Sequence, residues 1–396
     1  SISPMSCLRA SGSRAGDGAG QDDREALQNS PFSNLKASWC CRCIPWMSHR
    51  YTVVNASDQV PVHGYENQPS GFRAIEQTPT GICSGVGHDA VVTCATTGSQ
   101  SSVYVAFSFT DQGDGIAYKQ PADSSDARPW KAHRKGVTSC HQSDGILVTG
   151  SRDLAVKCWS TQSLENIATI PDSHELSVSA VACDEDLPGH VASGSRDTSV
   201  AVWEITPDSS VTKIASGSSP RNLVTCMRFL HGECSPLLVQ GSEDLAVRLW
   251  DWKRDYMALP TMTLTGYSYF PTCLDVLGTK VLTGSKGFDG SGCHVYQWDI
   301  RQARAPLHTW AQHEQEIVGC HQMDEKAVAL SKDGSIVVWN TASGVVEERA
   351  QVNLDGPCAS LVPLNEPGEY FVTSFFGKVA KHKLECIGPY TQKQVC

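Results

Sequence analysis

Gly150-Ser-Arg-Asp153-Leu-Ala-Val-Lys-Cys-Trp159 is followed by Gly194-Ser-Arg-Asp197-Thr-Ser-Val-Ala-Val-Trp203 and then by Gly241-Ser-Glu-Asp244-Leu-Ala-Val-Arg-Leu-Trp250. The same frame returns as Leu330-Ser-Lys-Asp333-Gly-Ser-Ile-Val-Val-Trp339, and another copy runs from Gly284 to Trp298 with extra residues between its Ser and its strand. Successive tryptophans lie 41 to 48 residues apart. Two weaker copies flank these: Gly98 to Phe107, with Phe at the Trp position, and Ser374 to His382, with His there. A constant period of this length marks a chain built from stacked supersecondary units, none of which buries its own apolar face alone.

In the three clearest copies a Gly-Ser-x-Asp turn leads into alternating apolar and polar residues, the period of a strand, and helical signal is almost absent. Sheets of this kind bury both faces when packed radially, and closing the ring leaves only short protected edges. The expectation is all-β: a seven-bladed β-propeller of four-stranded antiparallel blades. Within residues 49–396 the blades fall near 80–120, 121–167, 168–213, 214–260, 261–308, 309–350 and 351–390. Arg50 to Asn55, within 50–56, is the candidate closing strand, and the stretch after Leu384 is the alternative donor. Residues 1–48 carry no apolar period and read as a disordered tail.

These copies resemble the WD-repeat family over roughly residues 80 to 385. The Trp-Asp signature stands as Trp250-Asp251 and Trp298-Asp299, and is loosened to Trp159-Ser160, Trp203-Glu204 and Trp339-Asn340. The resemblance implies a buried structural tetrad in which hydroxyl, imidazole, carboxylate and indole N–H bond in series. Its positions here are His133, Thr149, Asp153 and Trp159 in blade 2, and His174, Ser193, Asp197 and Trp203 in blade 3. Blade 6 keeps His313, Asp333 and Trp339 but has Ala329 for the hydroxyl, and blades 1, 4, 5 and 7 lack the His. Arg221 to Thr225, Ser242 to Asp251, Gly287 to Cys293 and Trp298 to Arg304 are similar to the matching blades of a cilium-associated vertebrate member. That likeness implies a non-enzymatic scaffold, cytoplasmic or ciliary.

Composition narrows the function classes. With 396 residues the chain has room for two or three domains, which the repeat reduces to one. It carries 42 acidic against 32 basic residues and no positive stripe, so nucleic acid is not an expected partner. No apolar run approaches the roughly 20 residues of a membrane-spanning helix. The 17 cysteines are odd in number and no apolar leader precedes them, so the expectation is a reduced, intracellular protein. Aligning the copies by inner strand places Cys83, Cys140, Cys226, Cys273, Cys320 and Cys358 at one position, with Val181 in the remaining blade. Facing sheets lie about 10 Å apart and a disulfide needs Cα atoms within about 7 Å, so these thiols are expected to pack as free apolar groups.

No phosphate-cradling loop, nucleophile elbow or His-Glu-x-x-His stands in the chain. The His, hydroxyl and Asp that resemble a catalytic set recur blade after blade, as a structural network would. The expectation is therefore no catalytic residue, no metal, no cofactor and no small-molecule substrate, with other proteins as partners. Three places invite a partner. The blade 5 insertion Lys286 to Gly292 and the preceding loop Thr265 to Phe270 bring Tyr267, Tyr269, Phe270 and Phe288 to one face, either as a binding hot spot or as packing of the loop on its own blade. The turn residues Arg152, Arg196, Glu243 and Lys332 precede the Asp of each copy, and the two arginines are placed to clamp a carboxylate or phosphate or to stay solvated. That pair leaves open a second class, a ubiquitin-ligase adaptor reading acidic or phosphorylated peptides. Last, Cys40, Cys41 and Cys43 between Trp39 and Trp46 are either unmodified or acceptors of lipid chains; membrane contact follows only in the second case.

Overall fold

A computed structural model of the protein describes residues 76–77, 83–84, 90–97, 102–109, 115–121, 128–218, 222–232, 236–253 and 257–387. The tail 1–48, with Cys40, Cys41 and Cys43, and the segment Arg50 to Asn55 lie outside them.

A short hairpin, β1 (Glu76–Gln77) and β2 (Cys83–Ser84), precedes seven antiparallel sheets. Blade 1 is β3 (Ala90–Thr97), β4 (Ser102–Phe109), β5 (Gly115–Pro121) and β6 (Arg128–His133). Blade 2 is β7 (Val137–Ser143), β8 (Ile146–Ser151), β9 (Val156–Ser160) and β10 (Asn166–Ile170). Blade 3 is β11 (Val178–Cys183), β12 (His190–Ser195), β13 (Ser199–Ile205) and β14 (Val211–Ser218). Blade 4 is β15 (Val224–Phe229), β16 (Leu237–Ser242), β17 (Ala246–Asp251) and β18 (Met262–Leu264). Blade 5 is β19 (Pro271–Leu277), β20 (Lys280–Ser285), β21 (Val295–Asp299) and β22 (His308–Trp310). Blade 6 is β23 (Ile317–Gln322), β24 (Lys326–Ser331), β25 (Ser335–Asn340) and β26 (Val346–Gln351). Blade 7 has three described strands, β27 (Cys358–Pro363), β28 (Glu369–Ser374) and β29 (Val379–Lys383).

The first strand of each blade packs on the first strand of the next, and β27 packs on β3, which closes the ring as a seven-bladed propeller. At the closure the Val92 N–H donates to the Phe375 carbonyl at 2.9 Å. Among the described residues, β2 is the segment that lies beside the edge strand β29.

Every inner strand carries a bulge at the same place, from Val92/Cys94 in blade 1 to Cys358/Ser360 in blade 7. A bulge sharpens the local twist and re-aims the skipped residue. Here it frees Thr138, Ser179 and Thr272, whose hydroxyls each donate at 2.6 Å to the carbonyl that opens the next blade's inner strand, of Val178, Val224 and Ile317. These bonds stitch blade 2 to 3, 3 to 4, and 5 to 6. The repeat glycine follows from the same contact. A Cβ on Gly194 would lie 2.5 Å from a Val224 methyl, and one on Gly284 would lie 2.3 Å from an Ile317 methyl, so the neighbouring blade already fills that space.

Two readings of the sequence are corrected by this register. Ser102–Phe109 pairs with β3 as the second strand of blade 1, one strand earlier than its match to the Trp-bearing copies implies. Without a tryptophan to pin the frame, the alternation alone does not separate one strand from the next. The cysteines do not share one position either. Cys94, Cys226 and Cys273 face Ala106, Gly241 and Gly284, whereas Cys140 and Cys320 face Thr149 and Ala329, one residue further along. Cys358 opens its strand opposite Ser374, and Cys83 lies on β2, away from the inner strands. One residue of slip along a strand reverses the face that a side chain takes, so these thiols fill both sides of the blades. The ten described cysteines from Cys94 to Cys386 are all free. Burial raises several of their thiols, that of Cys158 to about 12.

Candidate functional site

The turn face of the ring is held from beneath by the repeated polar network. In blade 2 the Trp159 indole N–H donates to Thr149 Oγ1 at 2.9 Å, Thr149 Oγ1 lies 2.8 Å from His133 Nε2, and His133 Nδ1 lies 3.1 Å from Asp153. The consistent assignment has Thr149 donating to Nε2 and Nδ1–H donating to the carboxylate. Burial works against the Asp153 charge, but the His133 bond and the N–H groups of Arg134 and Ala155 outweigh it and hold the carboxyl well below its usual range. His133 is 1% exposed, so this set stands under a loop and not in a cleft.

Blade 3 inserts one member into the chain. Trp203 donates to Ser193 at 2.8 Å, Ser193 meets His174 Nε2 at 2.8 Å, and Ser199 links His174 Nδ1 at 2.6 Å to Asp197 at 2.5 Å. Other blades solve the same problem differently. In blade 4 Trp250 donates to Gln240 at 2.9 Å, while Asp244 takes a two-pronged contact from Arg248. In blade 6 Trp339 donates to Gln312 at 3.2 Å, and with Ala329 in place of a hydroxyl the buried His313 Nε2 has no partner.

In blade 5 the histidine's place is taken by Tyr267. Its hydroxyl lies 3.1 Å from Thr283 Oγ1, its ring is tilted against Trp298, and it is 5% exposed. Tyr267 therefore does not belong to the surface aromatic group that the sequence suggests: it is the core pillar of its blade. The loop before β19 has the right spacing for a tetrad residue, but a search for His passes over a Tyr.

Above this network one turn residue per blade is placed by the same backbone bond. The N–H groups of Arg152, Arg196, Glu243, Lys286, Lys332 and Phe375 donate to the carbonyl just before or within the opening of each inner strand, over 2.7 to 3.2 Å. They thus surround the mouth of the channel that the inner strands line. Arg152 is half-buried, and its burial and then the nearby Arg196 charge lower its proton affinity, so the two guanidinium groups sense one another. Lys332 lies 3.7 Å from Glu316. Glu243 is half-buried, and desolvation raises its carboxyl against the pull of Arg196 and Lys286. Lys286, which the sequence shows only as the start of the blade 5 insertion, is a member of this ring too, although blade 5 has no Asp directly after it to mark the turn.

The blade 5 insertion is a tight hairpin. Phe288 and Ser291 exchange bonds of 3.0 and 2.9 Å across Asp289 and Gly290, both at positive φ, as a two-residue hairpin turn requires. Gly290 N–H donates to the Glu314 carbonyl at 2.7 Å, which fixes the tip to blade 6. Gly292 lies flat under the Tyr269 ring, where a Cβ would come within 1.9 Å of it. Tyr269 meets Phe288 edge-on at 6.1 Å, and Phe270 lies close by over Lys286. Tyr269, Phe270 and Phe288 are thus gathered together. Phe288 is 49% exposed, and Leu176, Leu245 and Phe376 are exposed on turns of the same face.

Comparison with known proteins agrees with this architecture. The profile of the WD domain, G-beta repeat, matches residues 126–160. The human F-box/WD repeat-containing protein 4 is 24% identical over 69% of this chain, and the ribosome biogenesis protein WDR12 homolog of Aedes aegypti is 21% identical over 55% of it. The chain spans 63% and 54% of the lengths of those two relatives. A chain of a mitotic checkpoint complex crystal structure superimposes with a TM-score of 0.63 at 14% identity, over 85% of this chain and 99% of that one. The computationally designed Ika8 protein gives 0.55 at 18% identity, over 75% and 98%. At such identity the structural likeness speaks for the fold alone. Seven radially packed sheets make this chain a seven-bladed β-propeller, and the WD-repeat profile lies on the copy that ends at Trp159, where the polar tetrad is complete.

Proposed function

We propose that the protein is a non-enzymatic interaction scaffold that presents the turn face of its ring to protein partners. WD-repeat propellers in general bind other proteins, and the relatives matched here carry WD-repeat names. One observation carries the choice of face: Phe288, Phe376, Leu176 and Leu245 stand exposed there, interleaved with Arg152 and Arg196. Exposed apolar anchors among charged groups on rigid turns are the composition of a binding hot spot, and a face that does not reorganise loses little entropy on binding. The test is retention of cellular partners by the purified chain. Replacing Phe288 and Phe376 by Ala together should abolish retention, while replacing Leu277 and Val345 by Ala, on the opposite side, should not. Equal retention by both double variants refutes the choice of face.

A narrower second reading follows from the arginine pair, which suits an adaptor that receives acidic or phosphorylated segments for ubiquitin transfer. It predicts that replacing Arg152 and Arg196 by Gln lengthens the lifetime of bound partners in cells. A cilium-associated setting is supported by the likeness of blades 4 and 5 to the vertebrate WD repeat-containing protein 31. Proximity labelling in ciliated cells tests it, and a labelled set without ciliary proteins overturns it.

A further inference from the structure

Lys286 is an ammonium in an unusual position. It is 7% exposed, and its Nζ lies 5.4 Å from the centre of the Phe270 ring and 5.9 Å from that of Phe288. Among the described residues its Nζ makes no hydrogen bond and no ion pair. An ammonium on a side chain so largely covered loses part of its solvation, which two ring faces return only in part. Lysine tolerates such burial where an anion arrives to complete the site.

The surroundings fit that arrival. Phe288 is carried by a hairpin pinned at both ends, by the Gly290 bond to blade 6 and by Gly292 beneath Tyr269, so the aromatic walls cannot simply close over the charge. Glu243, in the neighbouring blade, feels Lys286 through space but makes no contact with it. Its carboxylate disfavours an anion over blade 4 and so confines one to blade 5. Arg196 and Arg152 continue the positive side of the rim beyond it.

We propose that Lys286 anchors an anion subsite that takes a carboxylate or phosphate borne by a partner polypeptide, with an apolar residue beside it against Phe288. This rests on the reading of the turn face as the binding face and adds to it the residue and the chemistry. The charge-assisted bond from Nζ, formed in a largely desolvated setting, supplies specificity, and the rings of Phe270 and Phe288 supply contact area.

The test uses the full chain and four labelled peptide pools of the form X-X-Leu-Z-Leu-X-X, with Z fixed as Glu, phosphoserine, Gln or Lys and binding followed by fluorescence polarisation. The Glu and phosphoserine pools should bind about tenfold more tightly than the Gln pool, the worth of one charge-assisted bond. A tighter phosphoserine pool assigns the ligand as phosphate, and equal binding assigns it as carboxylate. Lys286→Met should erase the preference, whereas the double variant Arg152→Gln, Arg196→Gln should keep it. Glu243→Gln should strengthen acidic binding, because a competing carboxylate is gone, and this arm decides the matter if Lys286→Met folds poorly. Equal binding of the Gln and Glu pools, a preference that survives Lys286→Met, or no gain with Glu243→Gln overturns the assignment. Failure of the partner-retention test would instead remove the face, whatever the peptides do.

Discussion

Acidification should weaken the ring through His141, His174, His313 and His321, all held below the ordinary imidazole range by burial, and two of them set the scale of the effect. His174 and His313 are 7% and 3% exposed, and burial holds each at about 4, against the opposing pull of Asp197 and Asp333. An unfolded histidine titrates near 6.5, so between those values the unfolded chain binds more protons and stability falls as pH falls. At pH 5 each histidine contributes a loss of about 2 kcal/mol relative to pH 7.5. Asp153 and Asp197 are both held low, so their stabilising contribution is lost only as pH falls below the ordinary carboxylate range, outside this window. The raised carboxyls of Glu243 and Asp184 act in the opposite direction, but equally in any variant that leaves them alone. Urea unfolding followed by tryptophan fluorescence at pH 7.5 and pH 5.0, on the natural chain and on His174→Gln, isolates the effect. The variant starts less stable, since its link to Ser199 and Asp197 is broken, yet it should lose about 2 kcal/mol less on acidification. An unchanged loss would show that His174 is not held neutral in the fold.

Other variants probe the network and the hairpin. Ala329→Ser should stabilise blade 6 by about 1 kcal/mol, because the new hydroxyl meets the unpartnered His313 Nε2, as Ser193 does for His174; a lower urea midpoint would contradict this. Tyr267→Phe should cost about 1 kcal/mol through the lost bond to Thr283, whereas Tyr269→Phe should leave the midpoint unchanged. Arg248→Leu leaves the Asp244 carboxylate without its partner and should cost about 3 to 5 kcal/mol, with Asp244→Asn in addition recovering part of it. Gly292→Ala combines a positive φ with a Cβ inside the Tyr269 ring, and should free the hairpin to hydrogen exchange at Gly290 while the strands of blade 5 stay protected.

The ring was legible in the sequence because its periodicity is carried by residues that the architecture cannot replace cheaply. Gly150, Gly194 and Gly284 recur where the next blade's inner strand leaves no room for a Cβ, and Trp159, Trp203 and Trp250 recur where an indole N–H meets a buried acceptor. The tetrads of blades 2 and 3 were legible for the same reason. What the sequence concealed lies where substitution kept the physics and changed the letters: Tyr267 for the histidine, Gln240 for the hydroxyl, Arg248 for the partner of Asp. Blade 1 slipped by a strand because Val, Thr and Ala alternate equally well in either frame, and register there comes from packing against β7 and β27. The cysteines misled because Cys140 and Cys320 stand one residue further past the shared bulge than Cys226 and Cys273, and an alternating sequence does not reveal a slip of one residue. Lys286 was passed over because its meaning lies in what surrounds it: two rings, a distant carboxylate and no acceptor.

The stitching of the blades by bulge hydroxyls is uneven around the ring. At the corresponding place blade 6 has Val318 and blade 7 has Ala359, neither able to donate, and in blade 1 the Thr93 hydroxyl turns back to Ala106 of its own sheet. Tyr104 and Lys119 still donate to the Thr161 carbonyl between blades 1 and 2, and the Cys358 N–H donates to the Lys332 carbonyl between blades 6 and 7. The seam left to apolar packing and the backbone bond of Val92 is therefore that from blade 7 to 1, beside the three described strands of blade 7. Opposite it, blades 2 to 4 form an arc joined by successive hydroxyl bonds. A ring so built behaves as a clasp: under heat, force or a competing strand it opens at one predetermined seam, while the arc bearing Arg152, Arg196 and Glu243 keeps its shape.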